Sequence, residues 1–384
     1  MGIKGLNNLL RKNCSNIFEQ IHISEYSFKK VAIDISLYLC KFKTVCGDRW
    51  LSAFINLIAC LRKNEVHCVF IYDSGAPPEK ELERKERAAQ RQKMEEKVYK
   101  LEEAIEKFHL TSEIDPILIE LYKKKNTTSD NSKRLLKNNE GVINMILVEE
   151  YVKKMRSYIL DISPEDFQLT KKLFDILKVP YYDAPLEAET MCSDLCKRGI
   201  VDAVLSEDTD VLAYASPVFL SKINTTDGTC IRIKYPELLE ELNLSSDEFL
   251  DVCIMCGTDY NKNIFRVGPE KSYKYIQKYS TIENISKNTN LDITVLNQER
   301  VRELFTKYQQ KDIKVPYCGS PNFQLLSEFI FKYNIRCNVE GLKKSFIHST
   351  TIIFEEEGQE DQELVIEETD DCIVDINDER KENI

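Results

Sequence analysis

At 384 residues, with 42% hydrophobic and 30% charged side chains, the chain has ordinary globular composition and the length for one large core or two ordinary ones. No run approaches the roughly 18 to 20 consecutive apolar residues of a membrane span, and no apolar signal region opens the sequence. The thirteen cysteines, odd in number and scattered, read as reduced thiols of a nuclear or cytoplasmic, non-secreted protein. The net charge of −11 argues against nucleic acid only until it is located: residues 355–384 hold fourteen Asp/Glu against two bases, a net −12, which leaves +1 on residues 1–354.

In chain order, Lys30 to Asp34 and His67 to Asp73 read as buried strands, apolar and partly β-branched, each ending in Asp. Leu51 to Leu61 between them has a helical pattern. After Asp73 a charged helix carries Met94, Val98, Leu101, Ile105 and Phe108, whose 4-3-4-3 spacing makes a single apolar stripe suited to a partner helix. Asp115-Pro116 interrupts it, residues 123–133 read as a mobile loop, and a second helical pattern runs through Ile143, Leu147, Tyr151, Met155 and Tyr158. Ser163-Pro164-Glu165-Asp166 marks a helix start. Asp202 to Ser206 is a third strand, and from residue 236 the chain turns helical. Strands alternating with helices imply an α/β fold with a mostly parallel central sheet.

A parallel sheet aligns the C-terminal ends of its strands on one edge, and seven carboxylates stand where strands end, helices begin or a Gly turn follows. They are Asp34, Asp73, Glu187, Glu189, Asp208, Asp210 and Asp259. So many like charges repel by several kcal/mol at roughly 4 Å and an effective dielectric near 20, an objection that hard divalent cations remove. Two metals about 4 Å apart would give the cluster one purpose, holding the attacking water and the leaving oxygen of a phosphodiester. Glu187 and Glu189, two apart, would not face each other on a regular helix, so they either serve different metals or one lies in an irregular first turn. His22, His67, His109 and His348 lie outside the acidic motifs, so a metal rather than histidine is expected to activate the water.

The ordered motifs Met1-Gly2-Ile3-Lys4-Gly5-Leu6, Val31-Ala32-Ile33-Asp34, Tyr72-Asp73-Ser74-Gly75-Ala76-Pro77-Pro78, Asp183-Ala184-Pro185-Leu186-Glu187-Ala188-Glu189, Ser206-Glu207-Asp208-Thr209-Asp210 and Gly257-Thr258-Asp259-Tyr260 resemble the flap endonuclease / XPG-type 5′ nuclease family over roughly residues 1–280. The resemblance implies a PIN-like nuclease core, with all seven carboxylates as ligands or close partners of two Mg²⁺ ions, Mn²⁺ being a substitute. It implies a helical arch with a gateway Lys and Arg that reach the scissile phosphate, here Lys80 and Arg87, whose separation of seven residues, nearly two helical turns, would point both the same way. It also places Gly2 near the site. Val267-Gly268-Pro269-Glu270-Lys271 is similar to the family's duplex-binding hairpin, which holds a monovalent cation, K⁺, on main-chain carbonyls; Gly268 opens a helix whose free N–H groups suit phosphate, with Lys271, Lys274 and Lys278 as a basic stripe. Two positions depart from the pattern. Arg266 stands where the family commonly has Gly, and Cys40, flanked by Tyr38 and Phe42, stands where flap endonucleases place a base-stacking aromatic.

The expected organisation is an N-terminal nuclease region with the gateway helix start (1–87), a helical arch and mobile loop (88–162), an internal nuclease region (163–235), a helical duplex-binding subdomain with C-terminal helices (236–354) and a disordered acidic tail (355–384). The expected activity is cleavage of branched or flapped DNA by a monomeric 5′ flap endonuclease or 5′–3′ exonuclease in replication and repair. The alternatives are a Holliday-junction resolvase on the same scaffold, a PIN-type ribonuclease, and a non-catalytic branched-DNA scaffold. The tail has no sliding-clamp docking motif; its charge suits competition with DNA, while Leu364-Val365-Ile366 and Ile373-Val374 suit a protein partner.

Overall fold

Two apolar strands with one face turned to each side need helices on both, and the computed structural model, which describes residues 2–126, 143–159 and 162–346, supplies them. Its seven-stranded sheet comprises β1 (Glu19–His22), β2 (Lys30–Asp34), β3 (His67–Tyr72), β4 (Tyr181–Asp183), β5 (Ala203–Leu205), β6 (Val218–Ser221) and β7 (Thr229–Lys234), in the order β1-β7-β6-β5-β2-β3-β4. Strands β6, β5, β2, β3 and β4 are parallel, whereas β7 runs antiparallel to both β6 and β1. The sheet is therefore mixed, with a parallel centre.

The helices include α1 (Leu6–Asn13), α2 (Ile35–Cys46), α3 (Trp50–Lys63), α4 (Glu81–Thr111), α5 (Pro116–Asn126), α6 (Met145–Ser157), α7 (Pro164–Leu177), α8 (Ala188–Lys197), α9 (Asp210–Ala213), α10 (Tyr235–Leu242), α11 (Ser246–Cys256), α12 (Pro269–Tyr279), α13 (Ile282–Asn288), α14 (Gln298–Thr306) and α15 (Phe323–Lys332). Side chains alternate across a strand. On one face Ala32, Val69, Ile71 and Val204 join the core that holds Met191, Leu195 and Phe249. On the other, Phe70 stacks on Phe174 at 4.2 Å and meets Phe54 at 6.1 Å. Ile35–Lys63 has the length and apolarity of a membrane span. It comprises α2 and α3, interrupted at Gly47–Arg49, which pack on each other and on β3.

Within the described residues the chain divides into two compact units, one running to Lys80 and resuming at Ser163, the other Glu81–Ile162. The break falls at Lys80 rather than at the expected residue 87, because α4 starts at Glu81 and shares its core with α5 and α6. Both regions expected after residue 163 belong to the first unit. In the second, the stripe on α4 is buried at Val98 and Leu101, joined by Ala104, and packs with Leu118, Leu121, Val148, Val152 and Met155. The buried face of α6 is thus Val148, Val152 and Met155, not the expected Leu147 and Tyr151, and Tyr158 is exposed. Residues 123–126, expected in a loop, finish α5; the rest of that loop and the acidic tail lie outside the described residues.

Candidate active site

Asp34 is the last residue of β2, and its Oδ1 accepts from the backbone N–H groups of Ser36 (2.8 Å) and Leu37 (3.3 Å), which caps α2. The Ser36 hydroxyl donates to Asp73 Oδ2, just beyond β3, and Asp73 Oδ1 accepts from Ala188 N at 2.7 Å. That last bond ties the start of α8 to the same sheet edge. Glu187 is the N-cap residue, with extended φ −97° and ψ 140°, and Glu189 lies in the first turn. Because Glu187 is outside the helix, the rule separating residues two apart does not apply, and one ammonium meets both.

That ammonium is Lys80. Its Nζ donates to Glu187 Oε1 and stands 3.4 Å from Glu189 Oε1 and 3.2 Å from Asp259 Oδ2, with its side chain 14% exposed. Lys80 closes the short turn Pro78–Lys80, immediately ahead of α4. Arg87 lies in the second unit, where its Nε donates to Glu83 Oε1 at 3.0 Å.

On the loop after β5, Asp208 N donates to Ser206 Oγ (3.0 Å) and Asp208 Oδ1 accepts from Asp210 N (2.9 Å), which folds the two acids into a tight turn. Asp210 is 1% exposed, and its Oδ1 has no hydrogen-bond partner among the described residues. Gly2, at φ 85°, packs into this turn so closely that a Cβ would stand 2.0 Å from Asp208 Oδ1 and 2.9 Å from Asp210 N.

Burial raises the carboxyl pKa of Asp34, with Asp73 and Glu189 adding repulsion. It pushes Glu189 up to about 8, against the pull of Lys80 and with Glu187, Asp73 and Asp208 repelling. Asp208 is also raised, chiefly by burial, and Asp210 more strongly by burial and then by Asp208, Asp259 and Glu189. For Lys80, burial opposes the charge, but Glu189, Glu187 and Asp259 outweigh it and hold the ammonium protonated well above the usual lysine range. The expected acids therefore share one electrostatic environment.

Three further residues serve the cluster without having stood out in the sequence. Ser36 bridges Asp34 and Asp73, the Tyr260 hydroxyl donates to Glu187 Oε2 at 2.5 Å, and the Tyr214 hydroxyl lies 2.6 Å from that of Tyr260. Tyr260 adjoins Asp259 in the Gly257-Thr258-Asp259-Tyr260 motif, which was the available signal. Near Cys40, Tyr38 and Phe42 are both buried and offer no exposed ring.

Gly268 is the extended N-cap residue of α12; Lys271, Lys274 and Lys278 are exposed, opposite the buried Ser272, Tyr273 and Ile276. The hairpin's carbonyls already take donors from the chain itself. Asn263 Nδ2 donates to Ile264 O (3.3 Å) and Val267 O (3.1 Å), and Lys271 Nζ to Arg266 O (3.2 Å). Each of these three carbonyls thus accepts a side-chain hydrogen bond, one of them from an ammonium.

Among the described residues, no three His, Cys, Asp or Glu side chains are drawn close enough to enclose an ion. The donor chemistry nevertheless fits divalent metal: the ligands on offer are hard carboxylate oxygens, suited to Mg²⁺ or Mn²⁺. The buried Asp210 oxygen without a partner and the raised carboxyl pKa values mark charge that the protein alone leaves uncompensated.

Residues 1–94 match the XPG N-terminal domain and residues 178–259 the XPG I-region. A probable RAD2-like endonuclease of Invertebrate iridescent virus 6 is 34% identical over 90% of this chain and 92% of its own length. Flap endonuclease 1 of Encephalitozoon cuniculi is 31% identical over 76% and 77%. The catalytic core of Rad2 in complex with DNA substrate superposes with a TM-score of 0.60 at 15% identity, covering 90% of this chain and 99% of that one, which shows a shared fold.

Proposed function

Because the chain belongs to the XPG-type, RAD2-like family of structure-specific 5′ nucleases, we propose that it hydrolyses phosphodiesters of branched or flapped DNA close to the junction of single and double strands, as a 5′ flap endonuclease with 5′–3′ exonuclease capacity, in replication and repair. The observation that carries this reading is the convergence of acids from the ends of β2, β3 and β5 and the start of α8, with Lys80 on three members of the cluster.

Asp34, Asp73, Glu187, Glu189, Asp208, Asp210 and Asp259 would hold two Mg²⁺ ions, with Mn²⁺ as a substitute. When bound, these ions supply a water of lowered pKa and neutralise charge on the leaving oxygen. The protein's part is arrangement. Ser36 fixes the first two acids relative to each other, Tyr260 fixes Glu187, the Asp210 N–H folds Asp208 back on itself, and Gly2 leaves that turn the room a side chain would take. Lys80, held protonated by the acids beneath it, brings positive charge to the scissile phosphate, and Arg87 is assigned the same task from the arch. Lys271, Lys274 and Lys278 would grip duplex phosphates, leaving the substrate's backbone to set position while its branch sets specificity.

The test is one gel of end-labelled flap, nicked, gapped, bubble and four-way DNA in Mg²⁺. Cuts within a few nucleotides of the flap junction support the proposal. Symmetric cuts confined to four-way DNA would make the protein a resolvase, and binding without any cut would make it a scaffold.

A further inference from the structure

Between α11 and α12 the chain reverses at Ile264–Val267, where Val267 N donates to Ile264 O at 3.0 Å. Ile264 and Val267 are buried, the Asn263 amide donates to the carbonyls of both, and the exposed Lys271 ammonium donates to the Arg266 carbonyl. The residues this turn holds outward are Phe265, 82% exposed, and Arg266, whose guanidinium lies 5.0 Å from the Phe265 ring centroid. Arg266 has φ 60°, a left-handed backbone that favours glycine, so the turn keeps a long cation where a bare backbone would be relaxed. Single exposed apolar side chains are common and need no account. Here, however, the ring is held out by a hydrogen-bonded turn, partnered by a cation, and set close in sequence to the exposed Lys271 at the start of the helix assigned to the duplex.

We propose that Phe265 and Arg266 form a wedge that enters the minor groove of the substrate's duplex arm, Phe265 leaning into a base step and Arg266 occupying the groove's negative potential. This rests on the nuclease reading above. Apolar rings with neighbouring Arg use the minor groove in this way, partly unstacking a step, and the cost of unstacking depends on sequence. The exposed cations on the turn and on the helix that follows it, Arg266, Lys271, Lys274 and Lys278, suit a polyanion. The enzyme therefore prefers flaps whose duplex arm is A·T-rich, with flexible TA steps, over G·C-rich arms, although no base edge is read.

The experiment compares wild type with Phe265→Ala, Phe265→Trp and Arg266→Gly on flap DNA bearing 2-aminopurine at successive steps of an A·T-rich or G·C-rich arm. For Phe265→Ala, Kd on the A·T-rich arm rises about 10-fold, the scale of removing one base–aromatic stack, and the 2-aminopurine brightening disappears. Phe265→Trp restores both binding and brightening. Arg266→Gly, whose backbone suits the turn, flattens the dependence of log K on log salt by about 0.9. Unchanged Kd and brightening in Phe265→Ala would overturn the wedge. Cleavage of the same flaps by wild type separates the two readings, since cutting with an indifferent Phe265→Ala sinks only the wedge, and failure to cut sinks the nuclease assignment.

Discussion

Replacing Lys80 by Met keeps the length of the side chain and removes the cation that meets Glu187, Glu189 and Asp259. At 3.4 and 3.2 Å and an effective dielectric of about 20, two of these ion pairs are each worth about 5 kcal/mol of attraction before desolvation. Stripping one partner from a buried ionic cluster leaves the others uncompensated, which typically costs about 3–5 kcal/mol. In EDTA at pH 8 the variant is expected to lose that much stability. The loss shrinks at pH 6, and the sign follows from Glu189. Its folded pKa, about 8, lies above its unfolded value near 4.5, so the folded state binds more protons across that window and stability falls as pH rises through it. Without Lys80 the fall is steeper. Saturating Mg²⁺ narrows the gap, because the cation replaces the lost positive charge and binds the variant more tightly, each tenfold in Kd adding about 1.4 kcal/mol to the variant's folded state. Urea unfolding at pH 6 and 8, with EDTA or Mg²⁺, reads all four arms, and single-turnover cleavage should fall by ~10²-fold, the scale of removing a charge-stabilising donor. A variant as stable as wild type in EDTA at pH 8, or one whose stability rises with pH, would refute Lys80 as counter-ion of the cluster.

Asp210→Asn removes a buried charge with an unpartnered oxygen, so it is expected to abolish cleavage while leaving DNA binding intact and raising stability in EDTA; cleavage within about tenfold of wild type, roughly 1.4 kcal/mol of barrier, would count against the metal assignment. Neutralising Lys271, Lys274 and Lys278 together should lower the salt dependence of binding by about 0.9 for each phosphate no longer neutralised, and an unchanged slope would move the duplex site elsewhere. Arg302 forks onto Asp251, 3% exposed, and Glu283, so Arg302→Met should destabilise by about 3–5 kcal/mol in denaturant. Arg302 holds Glu283 down at about 2; the stabilisation is present above the unfolded value near 4.5 and is lost as pH falls toward 2, an acid sensitivity the Met variant should lack.

Strands β2 and β3, which lead into Asp34 and Asp73, are legible because they are buried on both faces and hence continuously apolar. Strand β4 has three residues, Tyr181–Asp183, too few for any pattern. The antiparallel β6 and β7 are joined by the seven residues 222–228, so Asp227-Gly228 closes a long connection rather than forming a two-residue hairpin turn. Strand β1 was hidden for another reason: Glu19 pairs with Arg232, 213 residues away, and nothing local encodes that partner. On α6, Met155 fits both candidate stripes, so spacing alone did not choose the face. At the site, each carboxylate sits at an element boundary and was visible one at a time. The meeting of Lys80 with three acids, the Ser36 bridge and the Tyr214–Tyr260 pair arise only when distant segments come together, and no periodicity announces them.

The sheet order also governs how a nascent chain can mature. Strands β2 and β3 are complete once Tyr72 has been made, but β5, which covers the free side of β2, begins at Ala203, about 130 residues later. At ~5–20 residues per second of synthesis this leaves two apolar strands with open edges for roughly 7–26 s. The inserted Glu81–Ile162 unit, whose core joins residues close in sequence, emerges within that interval and is the part able to fold quickly. Chaperone dependence should accordingly concentrate in the window before residue 203, and ribosome-stalled chains ending on either side of it offer a direct view.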